Sequence, residues 1–450
     1  MIEKIFKLKE KKTNINTEFI AGLTTFMAMS YIIFVNPQVL SQTGMSYEAV
    51  YGATILTSAI ATLFIGLFAN VPYAQSAGIG LGSLFAYTLC GSLGYTWQQS
   101  LAIVYICGLI NVIITVSSLR KKIIKAIPDY MQEAITVGIG LFITYVGLVN
   151  AGIIEFGASS VENGIALNAF PQLANLLKPE VLLAIIGLII TSVLVVKKVK
   201  GSYLIGIIIT TLIGIPLGVT HAPNFANYNI FPDITPTLFK LDFSSLFTIK
   251  SALLVTCMTI FTVTMSDLFD TLGIFIGTGK KSGIFKMDKN GNMPKNLERA
   301  MIADSTGTMI GALLGTSNVT TYLESSAGIE AGGRSGLTSI FVSLFFILAL
   351  FFYPIIECVP MAAVSPILIL IGASMLENIG TINWKDYKIS IPCFFTIIMM
   401  CCGYSITTGI EFGFIFYSLV NISTGNAKKV SPIIYIFSLL FILKYIMVAL

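Results

Sequence analysis

The sequence predicts an all-α polytopic membrane protein with fourteen membrane spans arranged as two inverted halves of seven. Three observations lead there. Hydrophobic residues make up 55% of the chain and charged residues 11%, with a mean hydropathy of +0.86; soluble domains carry about 25% charged residues. Apolar stretches of about 20 residues, the length that crosses a bilayer as helix, recur along the whole chain. The tetrapeptide Ser-Ala-Gly-Ile also occurs twice, at Ser76–Ile79 and Ser326–Ile329, each time in a polar, glycine-containing break that follows a hydrophobic helix.

Residues 1–16 form a charged segment expected on the cytoplasmic side. Full-length spans follow it, rather than a short apolar region with a cleavage site, so no signal peptide is expected. The first repeat, residues 17–219, holds spans at 17–37, 50–69, 73–91, 98–118, 128–150, 179–197 and 201–219. An external connection, 220–249, leads to the second repeat, 250–425, with spans at 250–277, 299–315, 319–334, 336–355, 360–378, 387–403 and 405–424. An odd number of spans per half places the second copy upside down, the inverted-repeat logic of secondary transporters. The segments at 150–178 and 220–249 are too short for separate domains, and Asn227, Pro232, Asp233 and Pro236 mark the second as turn-rich. The hydrophobic segment 426–450 lies outside the scheme: Pro432–Leu450 either crosses the membrane or lies along the bundle as an interfacial helix.

The formal net charge of +5 is unevenly placed, with the segments around Glu155–Glu180 and Asp233–Asp242 mixed or acidic. Lys4, Lys7, Lys9, Lys11 and Lys12 precede the first span, and Arg120–Lys125, Lys197–Lys200 and Lys280–Arg299 occupy alternate loops. This positive-inside pattern puts the N-terminus in the cytoplasm and replaces nucleic acid with the lipid bilayer as the partner of the basic residues. The seven cysteines are scattered through apolar stretches without a Cys-x-x-Cys, so they read as small packing residues. Gly277-Thr-Gly-Lys-Lys-Ser282 lacks the glycine spacing and the Ser/Thr of a phosphate loop. Asp288–Asn292 begins like a calcium loop, but Met293 stands at its turn glycine and Arg299 at its bidentate glutamate. The sole histidine, His221, falls in an external loop. No cofactor or metal is expected, and any proton coupling falls to carboxylates.

Carboxylates at bilayer depth are costly and point to substrate or ion binding. Glu324 lies in the second break, Thr320–Gly328, whose counterpart is Pro72–Gly80. Such interrupted half-helices at corresponding places in two halves mark a transporter's central site. Asp267 and Asp270, at i and i+3, share one helix face inside the run 250–277. That face meets the bundle interior, or else the two acids solvate a cytoplasmic helix end. Asp304 serves either a structural hydrogen bond or transport, and Glu411 reads as a packing or interfacial acid.

Together these residues carry a resemblance. The block Thr320–Thr338, with Glu-Ser-Ser-Ala-Gly and Ala-Gly-Gly-Arg, joins Phe269–Gly273, Ala303–Ser305, Glu18–Phe26 and Asn36–Pro37. They resemble the AzgA-like purine permeases, a branch of the nucleobase-cation symporter-2 family related to the xanthine/uracil permeases, over nearly the whole chain. The resemblance implies core and gate domains, proton-coupled uptake of hypoxanthine, guanine or adenine across a bacterial plasma membrane, and a homodimer. It also implies substrate carboxylates at Asp270 and Glu324, with Leu323 and Ser325 beside the latter, and a pocket completed by Gly78 and Gly80. Asp267 and Asp304 join Asp270 and Glu324 as candidates for proton coupling. The chain departs from the family at Gly82, where an asparagine is usual, and Ser83 becomes the candidate substitute.

The rivals separate on chemistry. A xanthine or uracil permease of the same fold differs only in the base it accepts. An anion exchanger favours positive helix ends without two buried acids, an intramembrane enzyme needs a nucleophile-base or metal constellation, and a channel conducts without coupling.

Overall fold

The structure, a computed structural model, describes residues 2–117, 127–162, 165–221, 232–244, 246, 250–282, 284–285 and 294–449. The basic segment Arg120–Lys125, the calcium-loop-like Asp288–Asn292 and Asn227 lie outside the described residues. After a short helix α1 (Ile2–Phe6), the first half consists of α2 (Ile15–Met29), α3 (Ile32–Ser41), α4 (Tyr47–Phe68), β1 (Gln75–Ala77), α5 (Ile79–Ser83) with a wide π-type continuation at Leu84–Ser92, α6 (Trp97–Val116), α7 (Asp129–Asn150), a hairpin β2 (Ile154–Glu162) and β3 (Ile165–Leu173), α8 (Pro179–Val196) and α9 (Ser202–Gly214). The second half follows as α10 (Lys250–Ser282), α11 (Lys295–Leu314), β4 (Val319–Thr321), α12 (Ser325–Glu330), α13 (Gly336–Ala349), α14 (Tyr353–Glu357), α15 (Met361–Met375), α16 (Tyr387–Cys402) and α17 (Ile406–Ser423), with α18 (Pro432–Ala449) last.

The local chemistry of these helices suits an apolar solvent. Asn14, Ser46 and Ser405 accept hydrogen bonds from backbone N–H groups in the first turns of α2, α4 and α17, and Thr96 and Gln99 form a capping box on α6. Hydroxyls inside the spans return to the carbonyl four residues back: Thr54 to Val50 at 2.6 Å, Ser58 to Thr54 at 2.6 Å, Thr264 to Ile260 at 2.6 Å. In hydrocarbon no water is present to satisfy them, so this back-bonding removes the penalty within each helix.

Two helical bodies result. In one, the core, α4 packs on α13 and α11, α6 on α11 and α10, and α2 on α12 and α13; in the other, the gate, α7 packs on α15 and α16, α16 on α17, and α8 on α9 and α15. Small residues make the core contacts close: a Cβ on Gly336 would stand 1.9 Å from the Gly66 carbonyl oxygen, so α4 and α13 touch backbone to backbone. Glu18, fully buried on α2, accepts from the N–H groups of Arg334, Ser335 and Thr338 and from the Thr338 hydroxyl. It therefore caps the N-terminus of α13 from a helix more than 300 residues earlier, where a negative charge meets the positive end of the helix dipole.

At the middle of the core the two polar breaks meet. Strands β1 and β4 pair antiparallel, Gln75 with Thr321, Ser76 with Thr320 and Ala77 with Val319. Each break exposes backbone groups that hydrogen-bond across to the other, so extended chain persists at membrane depth only because it is enclosed in protein.

Two segments take on structure that the sequence reading left open. Residues 150–178, read only as too short for a separate domain, contain the β2–β3 hairpin, with Ile154 opposite Leu173 and Glu162 opposite Ile165; the Asn163-Gly164 dipeptide in the sequence between the strands is the signal for it. The C-terminal segment forms α18, which runs antiparallel beside α17: Glu411 meets Lys444, and Ser418 meets Ser438. It thus shares the depth of α17 rather than lying across the bundle surface.

Candidate functional site

The site is built on the crossing strands and on α10, which passes beside them. Thr320, the middle residue of β4, donates its hydroxyl to the Asp270 carboxylate of α10 at 3.1 Å. Three residues past β4, Glu324 accepts from the Tyr31 hydroxyl, which lies between α2 and α3, at 2.5 Å. Asp270 and Glu324 are half-buried. Tyr31 sits edge-on to Tyr203 of α9, ring centroids 5.3 Å apart, and tilted against Tyr322 at 6.3 Å. Tyr203 belongs to the gate, so an aromatic contact closes the site between the two bodies. Tyr322 is pinned by its hydroxyl, which donates to the Ala77 carbonyl at 2.5 Å, and Ser325 accepts the N–H of Ala74 at 3.0 Å. Leu323, by contrast, is 54% exposed.

The other two aspartates occupy a different environment. Asp304 of α11 is 3% exposed and accepts from Gln75 Nε2 at 3.1 Å, Thr321 Oγ1 at 3.0 Å and Thr271 Oγ1 at 2.7 Å. One carboxylate thereby ties together β1, β4 and α10. Asp267, 1% exposed, accepts from Asn111 Nδ2 of α6 at 2.7 Å and lies 3.9 Å from the Cys107 thiol. Both acids of the i, i+3 pair therefore face the bundle interior, Asp267 toward α6 and Asp270 toward β4.

The glycine-rich break gives its three glycines three neighbours. A Cβ on Gly78 would meet Thr320 at 2.7 Å, one on Gly80 would meet Ile139 of the gate helix α7 at 2.9 Å, and one on Gly82 would come 3.3 Å from Asn36 Oδ1 and 3.4 Å from Ser317 Oγ. Gly78 and Gly80 keep the break close to β4 and to the gate. Gly82 opens onto a buried polar seam, where Asn36 donates to Thr54 and Thr316, both at 2.8 Å. The Ser83 hydroxyl is buried and makes no hydrogen bond among the described residues. A cavity of about 440 Å³ lies elsewhere, lined by Gln42, Thr43, Cys90, Tyr95 and Trp97 among others, and neither Asp270 nor Glu324 reaches it. Among the described residues no three His, Cys, Asp or Glu side chains converge as a metal site.

Tyr31, Tyr203, Tyr322, Thr320 and Gln75 escaped the sequence reading. Each is an ordinary residue of an apolar span or break, and its partner lies far along the chain: Tyr31 and Glu324 are 293 residues apart. Only the repetition of the two breaks hinted that they would meet.

Two half-helix breaks enclosed in a core that packs beside a gate define a transporter of the seven-plus-seven inverted-repeat class. The transmembrane domain of the cyanobacterial bicarbonate transporter BicA has the same fold, with a TM-score of 0.60 over 89% of this chain and 97% of that one at 15% identity. SLC26A9 is also similar in fold, with a TM-score of 0.61 over 91% of this chain and 66% of that one at 14% identity. The xanthine/uracil permease model, described as the Permease family, matches residues 16–412, and the chain belongs to that family. It is 36% identical to the adenine permease AdeP of Escherichia coli, over 100% of this chain and 96% of that protein. It is also 36% identical to the guanine/hypoxanthine permease PbuO of Bacillus subtilis, over 98% and 99%.

Proposed function

We propose that this chain is a secondary active transporter that imports purine nucleobases, hypoxanthine, guanine or adenine, in symport with protons. The observation that carries this reading is the pair of half-buried carboxylates, Asp270 and Glu324, on the crossing of the two breaks, beside Tyr31, Tyr203 and Tyr322. A purine presents ring N–H donors along its edge, joined in adenine and guanine by an exocyclic amine, and an aromatic face above them. Carboxylates accept two such donors side by side, and tyrosine rings receive the flat base. Adenine and guanine/hypoxanthine, the bases for which AdeP and PbuO are named, belong to this same chemical class.

Proton coupling falls to the same groups. A carboxylate that accepts substrate N–H donors binds base and proton with mutual influence, and by linkage each then changes the other's affinity. Glu324 is the coupling group, with Asp270 as its neighbour. Asp304 and Asp267 hold the scaffold through the hydrogen bonds described above. Gly82, through the Asn36–Ser317 seam, and Ser83, as the candidate substitute for the usual asparagine, act on selectivity. Basic residues at alternate connections support a cytoplasmic N-terminus in a bacterial plasma membrane, and a homodimer fits the reading.

The test is uptake of labelled adenine, guanine and hypoxanthine by cells expressing the chain, in competition with unlabelled adenine, guanine, hypoxanthine, xanthine and uracil, with and without a protonophore. Purine uptake abolished by the protonophore is expected. Strong competition by xanthine or uracil alone would transfer the assignment to a permease for those bases, and protonophore-resistant accumulation would remove the proton.

A further inference from the structure

The C-terminal helix α18 touches both moving bodies, and it touches them by different chemistry. Against the gate it adds polar, directional contacts to the aromatic ones of Phe441 with Phe414 and Tyr445 with Phe412. Lys444 Nζ lies 2.6 Å from Glu411 Oε1 of α17, with side chains 7% and 0% exposed, and the Tyr445 hydroxyl donates to Glu411 Oε2 at 2.6 Å. Two turns away the hydroxyls of Ser418 and Ser438 are 2.7 Å apart, and Ser438 donates to the Phe414 carbonyl at 2.9 Å. Against the core the contact with α10 is apolar: Phe437 stacks on Phe261, centroids 3.5 Å apart and planes 15° apart, and Phe441 leans on the same ring at 6.3 Å. Phe261 stands about two and a half turns before Asp270 on the helix that carries the substrate carboxylate.

We propose that α18 is a strap fixed to the gate by the Glu411–Lys444–Tyr445 cluster, and that the core slides past it along the Phe261–Phe437 contact during transport. The argument is energetic. Separating a buried ion pair leaves an uncompensated charge at membrane depth, which the bilayer penalises heavily. A ring stack is held by non-directional dispersion and has neighbouring positions of similar depth along the helix, so it tolerates translation. Inverted-repeat carriers alternate by moving one bundle against the other around the site, and a helix tied to both must yield on its weaker side. The inference rests on the transport reading for the motion itself. It identifies Glu411, left by the sequence as a packing or interfacial acid, as the anchor of the strap.

The test uses spin-label pairs on exposed, lipid-facing positions of the full chain in nanodiscs. One pair, Leu419→Cys with Leu439→Cys, spans gate and strap; the other, Leu253→Cys with Leu439→Cys, spans core and strap, all in a background with the native cysteines replaced. Electron paramagnetic resonance distances are expected to show one narrow population for the gate pair and two for the core pair, with adenine or guanine shifting the balance of the two. Lys444→Met is expected to broaden the gate pair and Lys444→Arg to leave it narrow; if Lys444→Met fails to accumulate, the neutral double variant Glu411→Gln with Lys444→Met takes its place. A single population in the core pair, or a split gate pair in the unmodified cluster, overturns the strap. Two core populations that ignore every purine leave the strap standing and count against the purine reading instead.

Discussion

Replacing Asp304 distinguishes an anchor from a proton carrier. The carboxylate holds three donors, Gln75 Nε2, Thr321 Oγ1 and Thr271 Oγ1, at 2.7 to 3.1 Å in a site 3% exposed. Asp304→Ala removes all three acceptor contacts at once. A buried donor left without a partner costs about 1–3 kcal/mol. Two of the three are hydroxyls that can rotate toward other acceptors, so the lower part of that range applies, and the sum is about 3–5 kcal/mol. Against a total stability of about 5–15 kcal/mol that consumes a large share of the margin that keeps the chain folded. Asp304→Asn keeps the shape: its amide oxygen can still accept from Gln75 and Thr321, while Thr271 turns its hydroxyl to accept from the new NH₂. The expected outcome is a large fall in monodisperse protein and thermal midpoint for Asp304→Ala, and a fall of about 1 kcal/mol or less for Asp304→Asn with proton-driven accumulation retained. Both are read by fluorescence-detected size-exclusion thermostability alongside uptake. A well-folded Asp304→Asn that binds purine but no longer accumulates it refutes the anchor assignment and returns Asp304 to the coupling path.

Three further outcomes follow from the same geometry. Glu324→Gln retains volume and an acceptor for Tyr31 but no titratable proton, so uphill, protonophore-sensitive uptake is expected to disappear while counterflow exchange survives; wild-type accumulation in this variant moves coupling to Asp270. Asp270→Asn removes one charged acceptor from the site and is expected to weaken purine binding about tenfold or more, for a charge-assisted hydrogen bond of about 1.5–3 kcal/mol, with membrane expression unchanged; equal inhibition constants would place substrate away from Asp270. Gly336→Ala drives a methyl to within 1.9 Å of the Gly66 carbonyl, and the forced separation of α4 and α13 is expected to lower stability by about 1–3 kcal/mol or more. Gly380→Ala, with open space around it, is the neutral control, and equal melting of the two variants would contradict the backbone contact.

Much of this architecture was legible before any coordinates, for a physical reason. A span is a local object: about 20 apolar residues in a row settle it, and the count per half then dictates inversion. The break at Pro72–Gly80 and its partner at Thr320–Gly328 were legible because polar and glycine residues interrupt otherwise apolar runs. The presence of Glu324, Asp267, Asp270 and Asp304 inside spans was equally local information. The hairpin at 154–173 was not read from the sequence: Asn163-Gly164 is a turn signal, but the surrounding residues have no strict alternation to reinforce it.

What each acid does belongs to the tertiary structure. Asp267 and Asp270 share a helix face in sequence, yet one meets Asn111 of α6 and the other Thr320 of β4, because the helix passes between two different neighbours. Asp304 and Glu324 are both intramembrane carboxylates by sequence. Only folding surrounds the first with three donors and leaves the second half-open with one tyrosine hydroxyl. The same holds for Lys444, a lone cation in an apolar terminus until α18 lies antiparallel to α17 and brings it to Glu411. Hydropathy is a property of a window of chain and is written in the sequence. Hydrogen-bond partners hundreds of residues apart depend on how helices pack, and that only the three-dimensional arrangement decides.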